Sequence, residues 1–197
     1  RVTVEDTPGE AAVMVRFQSQ VAVFRAIIPQ GLPVPSLPPQ KTFVDQFVFA
    51  RLKLLGIPPS PLCDDATFIR RVTIDITGQL PDTEQTRAFI ADTNANKRDA
   101  LVDRLVASPG YADYFANKWA SVLRNKRRNG NDVKFTYRFH AWIRQQLEQN
   151  TPYDVFVREI LTASGDAESH PPVAWYRELG TSTAQMEDTA QLFLGMR

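Results

Sequence analysis

The densest cluster of side chains able to bind a charged ligand is Arg124-Asn125-Lys126-Arg127-Arg128. Lys118, Lys134 and Arg138 lie close to it in sequence, and Asp132 opposes them. Tyr137, Phe139 and Trp142 follow directly. Basic side chains displace counterions from phosphates and aromatic rings stack on bases, so this composition fits a polyanion site. A solvated helix face, or a surface for an acidic partner, has the same composition. The whole chain carries 23 Lys+Arg against 22 Asp+Glu, a net charge of +1. That balance disfavours nucleic acid as a partner and leaves Arg124, Lys126, Arg127 and Arg128 as candidate anion-binding residues.

The remaining reactive residue types are sparse. His140 falls in a helical pattern beside Trp142, and His170 precedes Pro171-Pro172. Two isolated imidazoles without placed carboxylates do not make a metal site. Met186 and Met196 are sulfur donors of the kind that ligate haem iron, but no CxxCH accompanies them, and packing is the expected role. Cys63, the single cysteine, is followed by Asp64 and Asp65, whose charge discourages a thiolate. One cysteine also excludes an internal disulfide and a CxxC zinc site. No Ser-His-Asp order, P-loop, GxGxxG or HExxH is present. No catalytic, cofactor-binding or metal-ligating residue is therefore assigned within this chain. Asp75 with Arg70 and Arg71, and Asp154 with Arg158, are expected to form buried ion pairs with a structural role.

The elements that position these groups follow from periodicity. Phe68, Val72 and Ile76 recur at i, i+4 and i+8, with Ile69 and Thr73 beside them, which predicts a helix. Gly78 stands where a left-handed C-terminal cap belongs, and Pro81 blocks continuation. Asp82 fits the N-cap of the next helix, with Gln85 as capping-box partner. This glycine–proline corner is the expected organising point of the chain. Upstream, Thr42 and Asp45 open a helix that Gly56 closes. Downstream, Asn96, Ser108-Pro109 and Thr151-Pro152 are expected caps, with Asp154 favourable near a helix N-terminus. Phe89, Ile90, Leu101, Val102, Leu105 and Val106 are expected inward, as are Trp119, Val122, Leu123, Trp142, Phe156 and Ile160. Residues 164–181 look like a loop, and a last helix is predicted from about Thr183 to Leu194.

Residues 1–28 differ. Val13, Val15 and Phe17 alternate, Gln18-Ser19-Gln20 is polar, and Val21 to Ile27 is β-branched and aromatic, which predicts a hairpin. Pro29, Pro33, Pro35, Pro38 and Pro39 make residues 29–41 an extended spacer, with peptide recognition as a lesser alternative. The expected architecture is all-α, an orthogonal bundle of about seven to eight helices over 42–197. A linker (29–41) and a short N-terminal β-hairpin (1–28) precede it. With 43% hydrophobic and 23% charged residues the composition is that of a soluble globular chain, and no apolar run is long enough for a transmembrane segment.

Several blocks together resemble one family. Phe68-Ile-Arg-Arg-Val-Thr-Ile-Asp-Ile-Thr-Gly-Gln-Leu-Pro81 resembles the "LRRxxLDLTGLPP" signature of the planctomycete-type cytochrome-associated domain of unknown function. Leu101 to Tyr111, Trp142-Ile-Arg, Asn150 to Glu159 and Gln191 to Arg197 resemble its later blocks, in order. Gln79 replaces the usual leucine, and Ile160 to Asp166 departs from the common "QLAGD". Pro8 to Phe17 followed by Val21 to Phe24 looks like the closing strands of a bacterial immunoglobulin-like domain, truncated here.

The resemblance implies a non-catalytic structural or interaction module of a large exported protein, at the periplasm or cell surface. It would contact neighbouring domains of the same polypeptide and support a c-type haem or metal-bearing segment beyond Arg197, where a CxxCH is expected. Both chain ends are expected to be cut. An extracellular protein or polysaccharide is the implied outside partner. The alternatives are part of a polysaccharide-acting enzyme whose site is completed elsewhere, or a polyanion-binding module using residues 124–138. Arg70, Arg71, Asp75, Gly78, Pro81, Trp119, Trp142, Pro152 and Asp154 are the expected structural residues.

Overall fold

A computed structural model describes residues 6–34, 37–126 and 133–196. Among these are eight α-helices, one 3₁₀ helix and one two-stranded sheet, so the chain is mostly helical. It divides into two units, Arg1–Leu62 and Cys63–Arg197.

In the first unit, β1 (Gly9–Phe17) pairs antiparallel with β2 (Gln20–Ile28). Phe17 lies opposite Gln20, so Gln18 and Ser19 make the turn, with Gln18 at φ 52. Opposed residues share a face, which puts Val13, Phe24, Val15, Ala22 and Phe17 together on one side. Helix α1 (Phe43–Leu55) belongs to the same unit. The Thr42 hydroxyl accepts the Asp45 N–H, and the Asp45 carboxylate accepts the N–H groups of Thr42 and Lys41, each at 2.8 Å. These bonds satisfy donors that the first turn leaves orphaned and hold the Asp45 carboxyl below its usual range. Gly56 ends α1 in the left-handed region. Arg51 of α1 pairs with Glu10 of β1, and the Gln30 N–H donates to the Leu55 carbonyl at 2.8 Å.

The second unit begins with α2 (Asp65–Thr77), capped by Asp64, which accepts the Thr67 N–H at 2.7 Å. Gly78 ends it at φ 70, as its position in the sequence required. Helix α3 (Thr83–Ala91) starts at Asp82, which accepts the Gln85 N–H at 2.7 Å. Helices α4 (Lys97–Val106), α5 (Pro109–Val122), α6 (Val133–Glu148) and α7 (Tyr153–Leu161) follow. A 3₁₀ helix (Pro171–Arg177) and α8 (Ser182–Phe193) complete the unit.

Two apolar clusters hold these elements. Ile69, Phe89, Leu101 and Leu105 form the smaller one, under Phe68, Val72 and Ile76. Ala116, Leu123, Phe139, Ile143, Phe156, Ile160, Trp175 and Leu179 form the larger. The glycine–proline corner therefore borders the smaller cluster, while the main core is built on α5, α6, α7 and the 3₁₀ helix. Ile90, Val106 and Val122, expected inward, are exposed. Phe89 and Leu105, just before the first two, and Leu123, just after the third, take the inward position instead, since consecutive residues are about 100° apart on a helix. Residues 164–181 are not all loop. The 3₁₀ helix there buries Pro172, Ala174 and Trp175.

Three expected caps lack the side-chain cap bond. Ser108 occupies the N-cap of α5, but its hydroxyl donates to the Leu105 carbonyl at 2.6 Å. Thr151 donates to the Gln146 side-chain oxygen at 2.9 Å, and Pro152 itself takes the N-cap of α7. Asn96 makes no side-chain cap bond.

The start of α2 is tied to α4 by charge. Asp65 pairs with Lys97 and Arg98, each at 2.7 Å. Arg98 also donates to the Cys63 carbonyl and lies 4.7 Å over the Phe68 ring. The bonds from Lys97 first, and Arg98 next, hold the Asp65 carboxyl below its usual range. A carboxyl lowered by folding adds stability above its unfolded value, near 4, and loses it as pH falls through the folded value. The stability advantage of the native chain over Asp65→Asn is therefore expected at neutral pH and should fade in acid. Thermal melts at pH 7 and pH 3 read this, and an unchanged difference would refute it.

Candidate functional site

Arg124 does not present a free cation. It sits at the C-terminal end of α5 with φ 54, and its guanidinium donates to Asp188 of α8 at 2.6 Å. The Arg124 side chain is 49% exposed, whereas that of Asp188 is 7% exposed. Asp188 shares one face of α8 with Ala184 and Leu192, both of which pack on the main core. This carboxylate was not singled out from the sequence. The available signal was an acid four residues from apolar neighbours on either side, a position that requires a counter-ion when buried. Its Oδ2 and the Trp175 Nε1 are buried without a hydrogen-bond partner among the described residues.

The rest of the basic cluster is partly neutralised. Lys134 and Arg138 pair with Glu168 at 3.5 and 3.1 Å. Arg138 also donates to the Glu168 carbonyl at 2.7 Å. Lys118 lies 4.3 Å over the Tyr114 ring. Lys126 is exposed, and Arg127 and Arg128 lie outside the described residues. His140 Nε2 meets Asn117 Oδ1 at 3.0 Å, while His170 stands at the head of the 3₁₀ helix. Met186 and Met196 are exposed rather than packed.

The expected buried ion pairs are not buried. Arg70, Arg71 and Asp75 are exposed and form no ion pair among the described residues. Their face of α2 points away from the Ile69–Thr73 stripe that packs inward. Arg158 and Asp154 do meet, at 3.5 Å, but at 69% and 70% side-chain exposure. Such a pair contributes little, because water screens it. Pro81 is half-buried at the corner before α3.

Trp119 and Trp142 bracket Phe156. Trp142 stacks on it at 5.3 Å, and Trp119 meets it edge-on at 5.2 Å. On the outer side of Trp119, a pocket of about 200 Å³ opens between α5, the end of α6 and the start of α7. Its walls are Tyr111, Trp119, Tyr153 and Phe156, and its rim carries Gln146, Asn150 and Thr151. The turn is set by the backbone. Asn150, at φ 49, donates its N–H to the Leu147 carbonyl, and Thr151 donates its N–H to the Gln146 carbonyl. Asparagine tolerates this left-handed conformation better than most residues. Among the described residues no charged side chain lines the pocket. A second, wider groove of about 450 Å³ runs over Trp142, Glu159, Ser164 and His170. Asp166 shapes the loop beside it, accepting from the Ser169 hydroxyl and the Glu168 N–H, which together hold its carboxyl below the usual range.

Among the described residues no three or more His, Cys, Asp or Glu side chains converge as a metal site would require, and no helix is long and apolar enough to cross a membrane. The family model PSCyt2, described as a protein of unknown function (DUF1549), matches residues 43–197, which span α1 to the end of α8. No curated protein and no solved structure matches.

Proposed function

The chain belongs to the PSCyt2 family, whose function is unknown, and on that footing we propose that it is a non-catalytic interaction module of a larger exported bacterial protein. In this reading the helical domain docks neighbouring polypeptide and supports a haem- or metal-bearing segment elsewhere in the parent protein. The observation that carries it is the contrast between the charged groups and the open surface. Asp188, Asp65 and Glu168 are each tied to cations on other elements, where they join parts of the scaffold. The pocket beside Trp119 is walled by aromatics and rimmed by amides, a composition suited to holding a ligand.

The test is the absorbance spectrum of the parent protein purified from its own cells. A Soret band is expected. Its absence, together with hydrolysis of glycans in a panel of extracellular polysaccharides, would overturn the reading in favour of an enzyme.

A further inference from the structure

We propose that the pocket between α5, α6 and α7 receives a proline-rich peptide in the polyproline II conformation. A polyproline II strand has no internal hydrogen bonds, its carbonyls are bare, and its prolines bring no N–H. A receptor for it needs flat apolar walls for pyrrolidine rings and donors for carbonyl oxygens, and has little use for charge. The pocket supplies these. The Trp119 and Tyr153 rings meet in a tilted contact, centroids 6.2 Å apart, and with Tyr111 and Phe156 they form one apolar wall. The Asn150 carboxamide makes no side-chain hydrogen bond to a described residue. Gln146 accepts the Thr151 hydroxyl through its oxygen, which leaves its NH₂ as the uncommitted end.

The uncharged lining matches a neutral backbone and mismatches a phosphate or an acidic peptide. At about 200 Å³ the pocket is smaller than those that enclose a whole cofactor, which run to roughly 300–1,000 Å³. It suits one or two rings of a longer strand passing across the rim. The left-handed turn at Asn150 holds the rim in place before any ligand arrives, so little ordering cost falls on binding.

The proposal rests on the interaction-module reading in treating the pocket as a docking site. Its test is calorimetric titration of the full chain with a synthetic dodecapeptide carrying Pro-x-x-Pro repeats. The comparison peptide has every proline replaced by alanine, and a neutral oligosaccharide serves as a third probe. Saturable one-to-one binding of the proline peptide alone is expected. Tyr153→Ala should weaken it at least about tenfold, as loss of an aromatic anchor does. Asn150→Gly keeps the backbone conformation and removes the amide, and should weaken binding by roughly three- to tenfold with an unchanged melting temperature. Equal binding of the alanine peptide, or indifference to both substitutions, overturns the proposal. Binding of the oligosaccharide alone, lost in Tyr153→Ala, overturns the peptide ligand and leaves the module reading standing. Absence of binding by all three probes overturns the pocket as a docking site, whereas the Soret measurement bears only on the module.

Discussion

Replacing Gly78 with alanine is expected to cost about 2–4 kcal/mol of stability, among the larger single losses available in this chain. Two costs add. At φ 70 the backbone is in the left-handed region, where a Cβ costs roughly 1 kcal/mol. A Cβ there would also meet the Tyr114 ring, 2.6 Å from Cε2 and closer still to Cδ2. Overpacking of this kind adds about 1–3 kcal/mol. Gly195 separates the two costs, since it has φ 64 with nothing within 4 Å of the same position. Gly195→Ala should therefore lose only about 1 kcal/mol. In a Tyr114→Ala background the Gly78→Ala penalty should fall to nearly that value. Urea denaturation of the four variants measures all these terms. Equal losses at Gly78 and Gly195 would show that the aromatic contact contributes nothing.

Arg124→Ala is expected to destabilise by about 2–4 kcal/mol, far more than removal of an exposed arginine would suggest. The loss arises at Asp188, whose buried carboxylate would be left without a counter-ion. Breaking a fully buried pair costs roughly 3–5 kcal/mol, and the half-exposed Arg124 side chain moves the expectation down. Asp188→Asn should cost less than Arg124→Ala, because a buried amide needs no counter-ion. The double replacement Arg124→Leu with Asp188→Leu should recover much of the loss, as apolar substitutes for buried pairs commonly do. The backbone does not confound the comparison, since alanine and leucine meet the same left-handed strain at residue 124 that arginine already bears. Chemical denaturation ranks the variants. A harmless Arg124→Ala would mean that Asp188 is satisfied without it.

What was legible in the sequence was local. Thr42 with Asp45, Gly56, Gly78 and Asp82 perform the terminal duties that their types and positions imply, because a cap is decided within a few residues. Ser108 takes the N-cap position with Pro109 behind it, as expected, but its hydroxyl donates to the Leu105 carbonyl and accepts no cap N–H. At the next helix Pro152 takes the N-cap position in place of Thr151, whose hydroxyl donates to Gln146. The buried ion pairs at Arg70, Arg71 and Asp75 were not legible, because spacing along one helix does not say which face a neighbouring helix will cover. The 3₁₀ helix was missed because a short segment with two leading prolines carries no helical period. The aromatic pocket was legible only in pieces. Trp119, Thr151 and Phe156 stood out, but Tyr111 and Asn150 join them only through the packing of α5 on α6 and α7.

Helix α5 adjoins the smaller apolar cluster through Tyr114 at the Gly78 corner and the larger one through Ala116 and Leu123. A fold with two nuclei of unequal size has a partly open form in which the lesser one melts while the greater stays shut. The glycine–tyrosine contact is the seam along which such opening would propagate or stop. Inherited changes around α2 to α4 would then reach the rest of the fold through the faces that α2 and α4 pack on α5, where Gly78 meets Tyr114 and Gly110 meets Thr77.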